Sequence, residues 1–395
     1  MSDTFIEKLL TYSQPYESPT SFWQWSAYST IAAVLRDSIW LPQGDSKLFP
    51  NIYVLFLADS GQRKGKPVDF ATKLVSDIKN VKIISGRSSI QAILVDLARV
   101  ETDKETGKLL KGGSAVFFAP ELTAALVADP AAIGIITDIY EYKEKYDKML
   151  VGGKFTLEHI VFNFFAASNE SLLKEVYDNR ATQGGLLART FVVVPDENRP
   201  ANSLFSLPDM KEQYACLIQS LKQITELKGP CVIEEDAKRE YDSWYIPFKN
   251  SLLKKKDKIG ILGRIHTSIL KLSLILAAND LSLSVGAEHV EVAIAESMKL
   301  LPNYNVFAMT GGTSDIAECG KRVLETLVSP DCIKAGYKIG RKKLLRDNWL
   351  FFTGETLDNF ISVAEGGELI KVMLNGVDTI YMLTDIGRKK MEIGE

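Results

Sequence analysis

A basic, glycine-containing segment directly follows a short apolar run near residue 50. The run Ile52–Leu57 is followed by the sequence ADSGQRKGKP at positions 58–67, and a helical pattern begins at Val68. In a strand–loop–helix unit, the loop N–H groups and the helix N-terminus bind an anion, and a lysine reaches its terminal phosphates. The sequence therefore predicts a phosphate-binding loop. Its candidate contacts are Ser60, Gly61, Arg63, Lys64, Gly65 and Lys66.

Two registers of this loop fit the spacing. If Lys64 contacts the phosphates, the loop begins at Ala58, directly after the apolar run, and Gly61 takes its fourth position. If Lys66 does so, the loop begins later, at Ser60. We prefer Lys64, because the geometry of the unit fixes the distance between strand and loop.

The usual magnesium ligands are missing from this pattern. Gly65 or Pro67 stands where a Ser or Thr normally follows the lysine and binds Mg²⁺. A second apolar run, Val116–Ala119, is followed by Pro120 and Glu121. Glu121 is placed to polarise a water molecule, but Pro120 occupies the position of the acid that holds the metal. The sequence thus predicts ATP as the ligand and leaves Mg²⁺ open.

Two further polar groups accompany later apolar runs. Asn169 closely follows the run Ile160–Ala167, where an amide can sense the γ-phosphate or hold the attacking water. Arg189 precedes the run Thr190–Val194, and an arginine there suits a finger that reaches a neighbouring subunit's γ-phosphate. Taken in order, Glu121, Asn169 and Arg189 are the predicted catalytic residues.

Strands that alternate with helices must position these groups. The short apolar runs and helical patterns of residues 49–200 predict an α/β core with a mostly parallel sheet. Residues 1–48 and 201–309 are helical in pattern, the latter as a lid or bundle. After a glycine-rich linker at 310–314, residues 315–395 predict three short helices and a hairpin, a winged helix. Four N-terminal aromatic residues are expected in the core or at a subunit contact: Phe22, Trp23, Trp25 and Tyr28.

Composition excludes several functional classes. The 395-residue chain is long enough for two or three packed units, and its 46% apolar and 25% charged content is ordinary for a globular protein. A net charge of −3 excludes a uniformly basic nucleic-acid coat, although a local patch can still bind phosphates. The four cysteines and three histidines lack metal-ligand spacing, so no metal site is predicted. With no signal peptide or bilayer-length run, we expect a cytoplasmic protein without membrane contact.

Basic residues suggest two places where DNA would bind. Between the runs Val116–Ala119 and Ile160–Ala167, Gly152-Gly153 marks a hairpin tip, and Lys154 beside it is the candidate contact. The alternative is a solvated loop in which neighbouring acids balance the lysines. In the tail, a short helix and the wing carry the other candidates. They are Arg341, Lys342, Lys343, Arg346 and Lys371.

The chain resembles the RecA/AAA+-like ATPase domains of phage, plasmid and genomic-island primase–helicase proteins. The resemblance covers about residues 5–300 and is carried by four segments. They are Arg63–Gly65, Phe118–Leu122, Ala166–Asn169 and Gly184–Arg189. It implies a homo-oligomeric ring, a hexamer, that hydrolyses ATP at its subunit interfaces and moves along DNA.

The resemblance adds one nucleotide-binding residue and a function. Arg264 begins a lid helix of the sort in which such proteins, and more distantly minichromosome-maintenance helicases, keep a second sensor arginine. The implied function is an ATP-dependent DNA helicase or translocase for replication of a mobile genetic element. The missing magnesium ligands favour an alternative, a non-hydrolysing DNA-binding initiator or helicase-loader scaffold. A third possibility is a regulatory protein whose winged helix recruits a primase or polymerase.

Overall fold

The chain divides into two compact units, Met1–Ala308 and Met309–Glu395. The boundary lies beside the glycine-rich stretch at 310–314. The three N-terminal regions predicted from the sequence all fall in the first unit, because their buried residues form one continuous hydrophobic core. The computed structural model of the chain describes residues 3–85, 90–98, 101–102, 109–110, 113–122, 130–150, 153–169, 185–195, 199–202, 208–252, 260–304, 315–348, 352–376 and 378–390.

The first unit contains both strands and helices. Its strands are β1 (Ile39–Gln43), β2 (Ser46–Leu48), β3 (Tyr53–Leu57), β4 (Ile83–Ser85), β5 (Glu101–Thr102), β6 (Leu109–Leu110), β7 (Ser114–Ala119), β8 (Lys143–Leu150), β9 (Gly153–Ser168), β10 (Thr190–Val193), β11 (Gly229–Pro230), β12 (Val232–Ile233) and β13 (Ser284–Val285). Its helices are α1 (Phe5–Tyr12), α2 (Thr20–Leu35), α3 (Gly65–Ser76), α4 (Ile90–Ala98), α5 (Pro130–Asp138), α6 (Lys211–Thr225), α7 (Glu235–Leu252), α8 (Ile265–Asn279) and α9 (Ala287–Lys299).

Five of these strands run parallel and form the central sheet in the order β10-β3-β9-β7-β4. Every residue of β3 and β10 is buried, as expected for strands that are covered on both faces. In register, Tyr53 of β3 lies opposite Phe164 on one side and Thr190 on the other. The predicted α/β fold with a mostly parallel sheet is confirmed.

Strand β9 belongs to two structures at once. Its second half, from Val161 onward, lies between β3 and β7 in the central sheet. Its first half pairs antiparallel with β8, from Lys143 opposite Ile160 to Leu150 opposite Gly153. The predicted hairpin is therefore a direct extension of a central strand.

Helix α2 explains the N-terminal aromatic residues. Phe22 stacks on Phe56 of β3 at 4.3 Å between ring centroids, and Trp25 lies 4.6 Å from Phe191 of β10. Both rings are almost completely buried, as are Trp23 and Tyr28. These residues are thus core, the first of the two predicted roles.

Residues 201–309 contain the helices α6 to α9, as the helical pattern of this region predicts. Helix α8 is buried along most of its length and contacts α2, so it belongs to the common core. Among the described residues, no helix combines the length and apolarity that crossing a bilayer requires.

The second unit has a small core of its own. Helix α13 covers one side of its antiparallel sheet, whose order is β14-β16-β15. The three predicted helices and the hairpin are present, whereas the short β14 and α11 were not predicted. Its elements are α10 (Asp315–Leu327), α11 (Pro330–Lys334), β14 (Lys338–Gly340), α12 (Arg341–Asp347), α13 (Gly354–Gly366), β15 (Ile370–Asn375), β16 (Asp378–Leu383) and α14 (Asp385–Lys390).

Candidate functional site

The strand order predicts a crevice at the carboxyl edge of the central sheet. The chain leaves β3 toward β4 at one end of the sheet, and leaves β9 in the opposite direction, toward β10. Parallel connections are right-handed, so connections that run in opposite directions lie on opposite faces. The carboxyl ends of β3 and β9 therefore flank a topological switch point, where open α/β sheets bind ligands.

The loop after β3 lies at this crevice. It runs from Ala58 to Lys64, and the Ala58 N–H donates to the Ser168 carbonyl at the end of β9 over 3.3 Å. Gly61 adopts φ +96°, a left-handed conformation that glycine tolerates best. Helix α3 then begins at Gly65, so its first N–H groups and positive dipole end lie at the crevice, where the Lys66 N–H donates to the Arg63 carbonyl at 3.2 Å.

The two candidate lysines point to different surroundings. The Lys64 ammonium turns back over the loop and donates to the Asp59 carbonyl at 3.4 Å. The Lys66 ammonium lies 5.2 Å from the centre of the Tyr16 ring, in a cation–π contact with the N-terminal region. Lys64 thus contacts the loop itself, whereas Lys66 contacts the N-terminal region.

Arg63 makes contacts that anchor the loop to the N-terminal region. Its guanidinium forms an ion pair with Glu17 at 3.1 Å, and its carbonyl accepts a 3.0 Å hydrogen bond from the Ser18 hydroxyl. Arg63 also has φ 54°, in the left-handed region. Because its charge is already paired, we assign Arg63 to holding the loop against residues 17–18.

Glu121 and Asn169 lie at the same edge as the loop. A Cβ atom added to Gly65 would lie 3.5 Å from the Pro120 carbonyl, so the end of β7 abuts the start of α3. The N–H of Leu122 donates to the Ala167 carbonyl at 2.8 Å, which fixes the exposed Glu121 beside β9. Asn169 is the residue after β9. Parallel strands thus bring together three segments that are far apart in sequence.

Arg189 lies at the opposite edge of the sheet. It directly precedes β10, and Thr190 pairs with Tyr53 at the start of β3. The five residue-to-residue steps from Tyr53 to Ala58 span about 17 Å at about 3.3 Å per residue. Arg189 therefore cannot reach the phosphate loop of its own chain.

Arg264 lies beside Arg189 and is therefore also far from the loop after β3. Its guanidinium lies 3.7 Å from the Glu141 carboxylate, and both side chains are 46% exposed. Burial and the nearby charge of Arg264 lower the pKa of Arg189. Arg189 donates to the Gly185 carbonyl at 2.9 Å and lies 6.0 Å from the Tyr140 ring centre. Its buried Nε has no hydrogen-bond partner among the described residues.

A buried lysine completes this cluster, and sequence reasoning missed it. Lys271 is 1% exposed, lies 3.8 Å over the Tyr140 ring and donates to the Asn51 side-chain oxygen at 2.9 Å. Burial lowers its pKa to about 7. The Asn51 amide in turn donates to the carbonyls of Tyr140 and Phe162. A lysine inside the apolar run Ile269–Ala278 was the available signal.

The β8–β9 hairpin places the predicted DNA contact near its tip. Lys154 lies opposite Met149, four residues beyond the end of β8 along the chain. The side chain of Lys154 is outside the described residues, as is that of Lys148. Nearer the sheet, Lys145 pairs with Asp147 at 3.9 Å, as the charge-balanced alternative expects.

In the second unit, Arg341 has a structural partner. Its guanidinium binds both carboxylate oxygens of Asp358, at 2.8 and 3.0 Å, and joins α12 to α13. The contact of Arg341 with DNA stays a prediction. Four predicted contacts remain exposed on this unit: Lys342, Lys343, Arg346 and Lys371.

Helix α13 has the wrong charge for a DNA-reading helix. It follows α12 along the chain and so takes the place of the second helix, the recognition helix, of a helix-turn-helix module. It carries Glu355, Asp358 and Glu365, and no lysine or arginine. The basic residues instead lie on α12, which in such modules crosses the DNA backbone.

A histidine and two acids that lie close together are explained by helix capping. The Gly286 N–H donates to His289 Nδ1 at 3.0 Å, so the ring proton is on Nε2, which faces Asp280 at 3.1 Å. Glu288 is the third member of the group. Both ring nitrogens of His289 are used at the start of α9, and we assign no metal to them.

No protein-family model matches the chain, and no curated protein matches it either.

Proposed function

We propose that the crevice between β3 and β9 binds the triphosphate of ATP. The observation that carries this proposal is the convergence of Lys64, Glu121 and Asn169 at one switch-point edge. Gly61 to Gly65 and the start of α3 supply N–H groups for the phosphates. Ser60 and Lys66 flank the contact, with Lys66 held partly by Tyr16.

Hydrolysis in this proposal needs a second copy of the chain. Glu121 activates the water, and Asn169 orients it against the γ-phosphate. Arg189 and Arg264 are too far from their own loop and act on the nucleotide of the next subunit. The simplest assembly that repeats this interface is a closed ring, and we propose a hexamer.

The long strand β9 connects the nucleotide to DNA. Asn169 follows its carboxyl end, and Lys154 lies near its other end, about 50 Å away at about 3.3 Å per residue. A hydrogen-bonded strand transmits a displacement along its length. We therefore propose that ATP turnover moves the Lys154 hairpin along single-stranded DNA, as in a helicase or translocase that replicates a mobile element in the cytoplasm.

The residues at the crevice do not fit the usual binding of Mg²⁺. Gly65 follows Lys64, and Pro120 precedes Glu121, so neither position offers an oxygen side chain. We derive no step through the metal. This departure favours a second candidate function, a DNA-binding initiator or loader scaffold that does not hydrolyse ATP. Phosphate release measured with and without single-stranded DNA separates the two.

The second unit has two proposed roles. Lys342, Lys343, Arg346 and Lys371 are exposed and suit contacts to duplex phosphates. The acidic helix α13 instead favours recruitment of a partner protein such as a primase or polymerase. Alanine variants of the basic residues will weaken duplex binding only in the first case.

A matched lysine pair tests the nucleotide site. Lys64→Ala should weaken ATP binding by at least about tenfold, which corresponds to about 1.4 kcal/mol. Lys66→Ala, the control in the same loop, should change the affinity by less than about threefold. Equal binding of ATP by wild type and Lys64→Ala contradicts the proposal, and the reverse ranking assigns the phosphates to Lys66.

A further inference from the structure

The cationic cluster at the amino edge of the sheet contains one acidic side chain that acts on all of its members. Arg189, Arg264 and Lys271 gather around Tyr140. Glu141 pairs with Arg264 and stabilises the charged forms of Arg189 and Lys271. The cluster therefore has an excess of positive charge among the described residues. An incoming anion would be attracted to it.

We propose that Glu141 is a positioning residue that holds Arg264 until the triphosphate bound to a neighbouring subunit displaces the Glu141 carboxylate from the Arg264 guanidinium. This inference rests on the proposed function. The Glu141–Arg264 contact is 3.7 Å long and half exposed, so water already screens it. A triphosphate carries more charge and competes for the same guanidinium. Arg264 can thus exchange one anion for another without losing a partner.

The neighbours of Glu141 determine which part of the structure can move when Arg264 exchanges Glu141 for a triphosphate. On its amino side, Tyr140 is fully buried and fixed, because its carbonyl accepts a hydrogen bond from Asn51 and its ring packs under Lys271. On its carboxyl side, β8 begins two residues later, at Lys143. A displaced Glu141 can therefore move the base of the hairpin but not the sheet.

The root of the hairpin is a place where such a movement can occur. Tyr142 contacts His159 through a 3.1 Å hydrogen bond between its hydroxyl and Nδ1. His159 has φ 50°, and the adjacent Gly113 packs so closely that a Cβ there would meet the Glu158 carbonyl. This irregularity separates the hairpin half of β9 from its sheet half. The exchange at Arg264 thus couples a neighbour's nucleotide to the hairpin that carries Lys154.

The direction in which Glu141→Gln changes the KM for ATP distinguishes two roles of Glu141. It either competes with the triphosphate for Arg264 or only supports Arg264 structurally. If Glu141 competes with the triphosphate, Glu141→Gln frees Arg264 and lowers KM for ATP by about fivefold, within the usual range of coupling between sites. Arg264→Ala raises KM. If Glu141 only supports Arg264 structurally, both substitutions raise KM. The stimulation of ATPase activity by single-stranded DNA should also be lost in Glu141→Gln, because the hairpin no longer senses the neighbour.

Steady-state ATPase assays of the full chain, with and without single-stranded DNA, test the proposal. Glu144→Gln, which changes an exposed acid on β8, should behave as wild type, and Glu141→Asp should restore DNA stimulation at least in part. A raised KM in Glu141→Gln, or unchanged DNA stimulation, overturns the inference while leaving the nucleotide site intact. A wild-type chain without ATPase activity, or a Lys64→Ala variant equal to wild type, overturns the proposed function and this inference together.

Discussion

Arg189 lies at the amino end of the strands of the parallel sheet, and Lys64 lies at their carboxyl end. Thr190, next to Arg189, pairs with the first residue of β3, whereas Lys64 follows the last. The length of the strand, about 17 Å, prevents the two side chains from serving one nucleotide within a chain. If both act in hydrolysis, they belong to different subunits.

Complementation between two inactive variants tests this arrangement. Arg189→Ala should lower the ATPase rate by at least about 10³-fold, as loss of an arginine finger does, and spare ATP binding. Lys64→Ala should lose binding. In a mixture of the two, some interfaces combine an intact Lys64 with an intact Arg189, so activity should return. A mixture as inactive as its components contradicts action between subunits.

The buried Lys271 predicts a specific pH dependence of stability. Its pKa falls from 10.5 to about 7 on folding, so between those values the unfolded chain binds more protons than the folded one. The free energy of unfolding should therefore rise as the pH rises from 7 to 9. Lys271→Met removes this group and should flatten the rise. Denaturant unfolding at several pH values measures it.

A surface lysine provides the control for that experiment. Lys211 is 89% exposed in its side chain, so Lys211→Met should leave the pH slope as in the wild type. If the slope in Lys271→Met equals that of the wild type, other groups cause it and the buried lysine stays protonated in the folded chain up to pH 9.

The backbone at Gly61 predicts a loss of nucleotide affinity. An added Cβ would meet no atom within 4 Å, so the cost of Gly61→Ala arises from its φ of +96° alone. We expect the loop to change conformation and ATP binding to weaken by about tenfold, equivalent to 1–2 kcal/mol of backbone strain. Gly134→Ala in α5, where space is also open and φ is ordinary, is the matched control. Equal affinities for the two variants would show that the loop conformation does not matter.

The ion pair between Arg341 and Asp358 predicts an effect on stability and none on DNA. Asp358→Asn should lower the free energy of unfolding of the second unit by up to about 1 kcal/mol, because the pair is partly exposed. Lys342→Ala should leave stability unchanged. It should reduce the slope of log K for duplex binding against log salt concentration by about 1, which corresponds to the loss of one phosphate contact. Thermal unfolding of the full chain measures the effect on stability, and fluorescence anisotropy measures the effect on duplex binding. A stable Asp358→Asn variant with weakened DNA binding would reverse the assignment.

Local patterns in the sequence were sufficient for the central strands, but not for the short strands β1 and β2, which lie in a region predicted to be helical. The apolar runs before Ala58, Pro120 and Asn169 identify buried strands, and parallel pairing brings their ends to one edge. The helices of the second unit follow from their periodicity in the same way.

The charged contacts could not be predicted, because they depend on partners far apart in sequence. Arg341 pairs with a residue 17 positions away, and Lys271 with Asn51, 220 positions away. The location of Arg264 beside Arg189 likewise depends on how α8 packs against the sheet. Residue type alone suggested phosphate or DNA contacts where tertiary structure supplies other partners.

Hydrogen–deuterium exchange with a non-hydrolysable ATP analogue tests the nucleotide site most directly. If the loop after β3 holds the triphosphate, the backbone N–H groups from Gly61 to Lys66 should exchange more slowly when the analogue is bound. Saturating analogue that leaves exchange in this loop unchanged, or that slows exchange only elsewhere, would contradict the account.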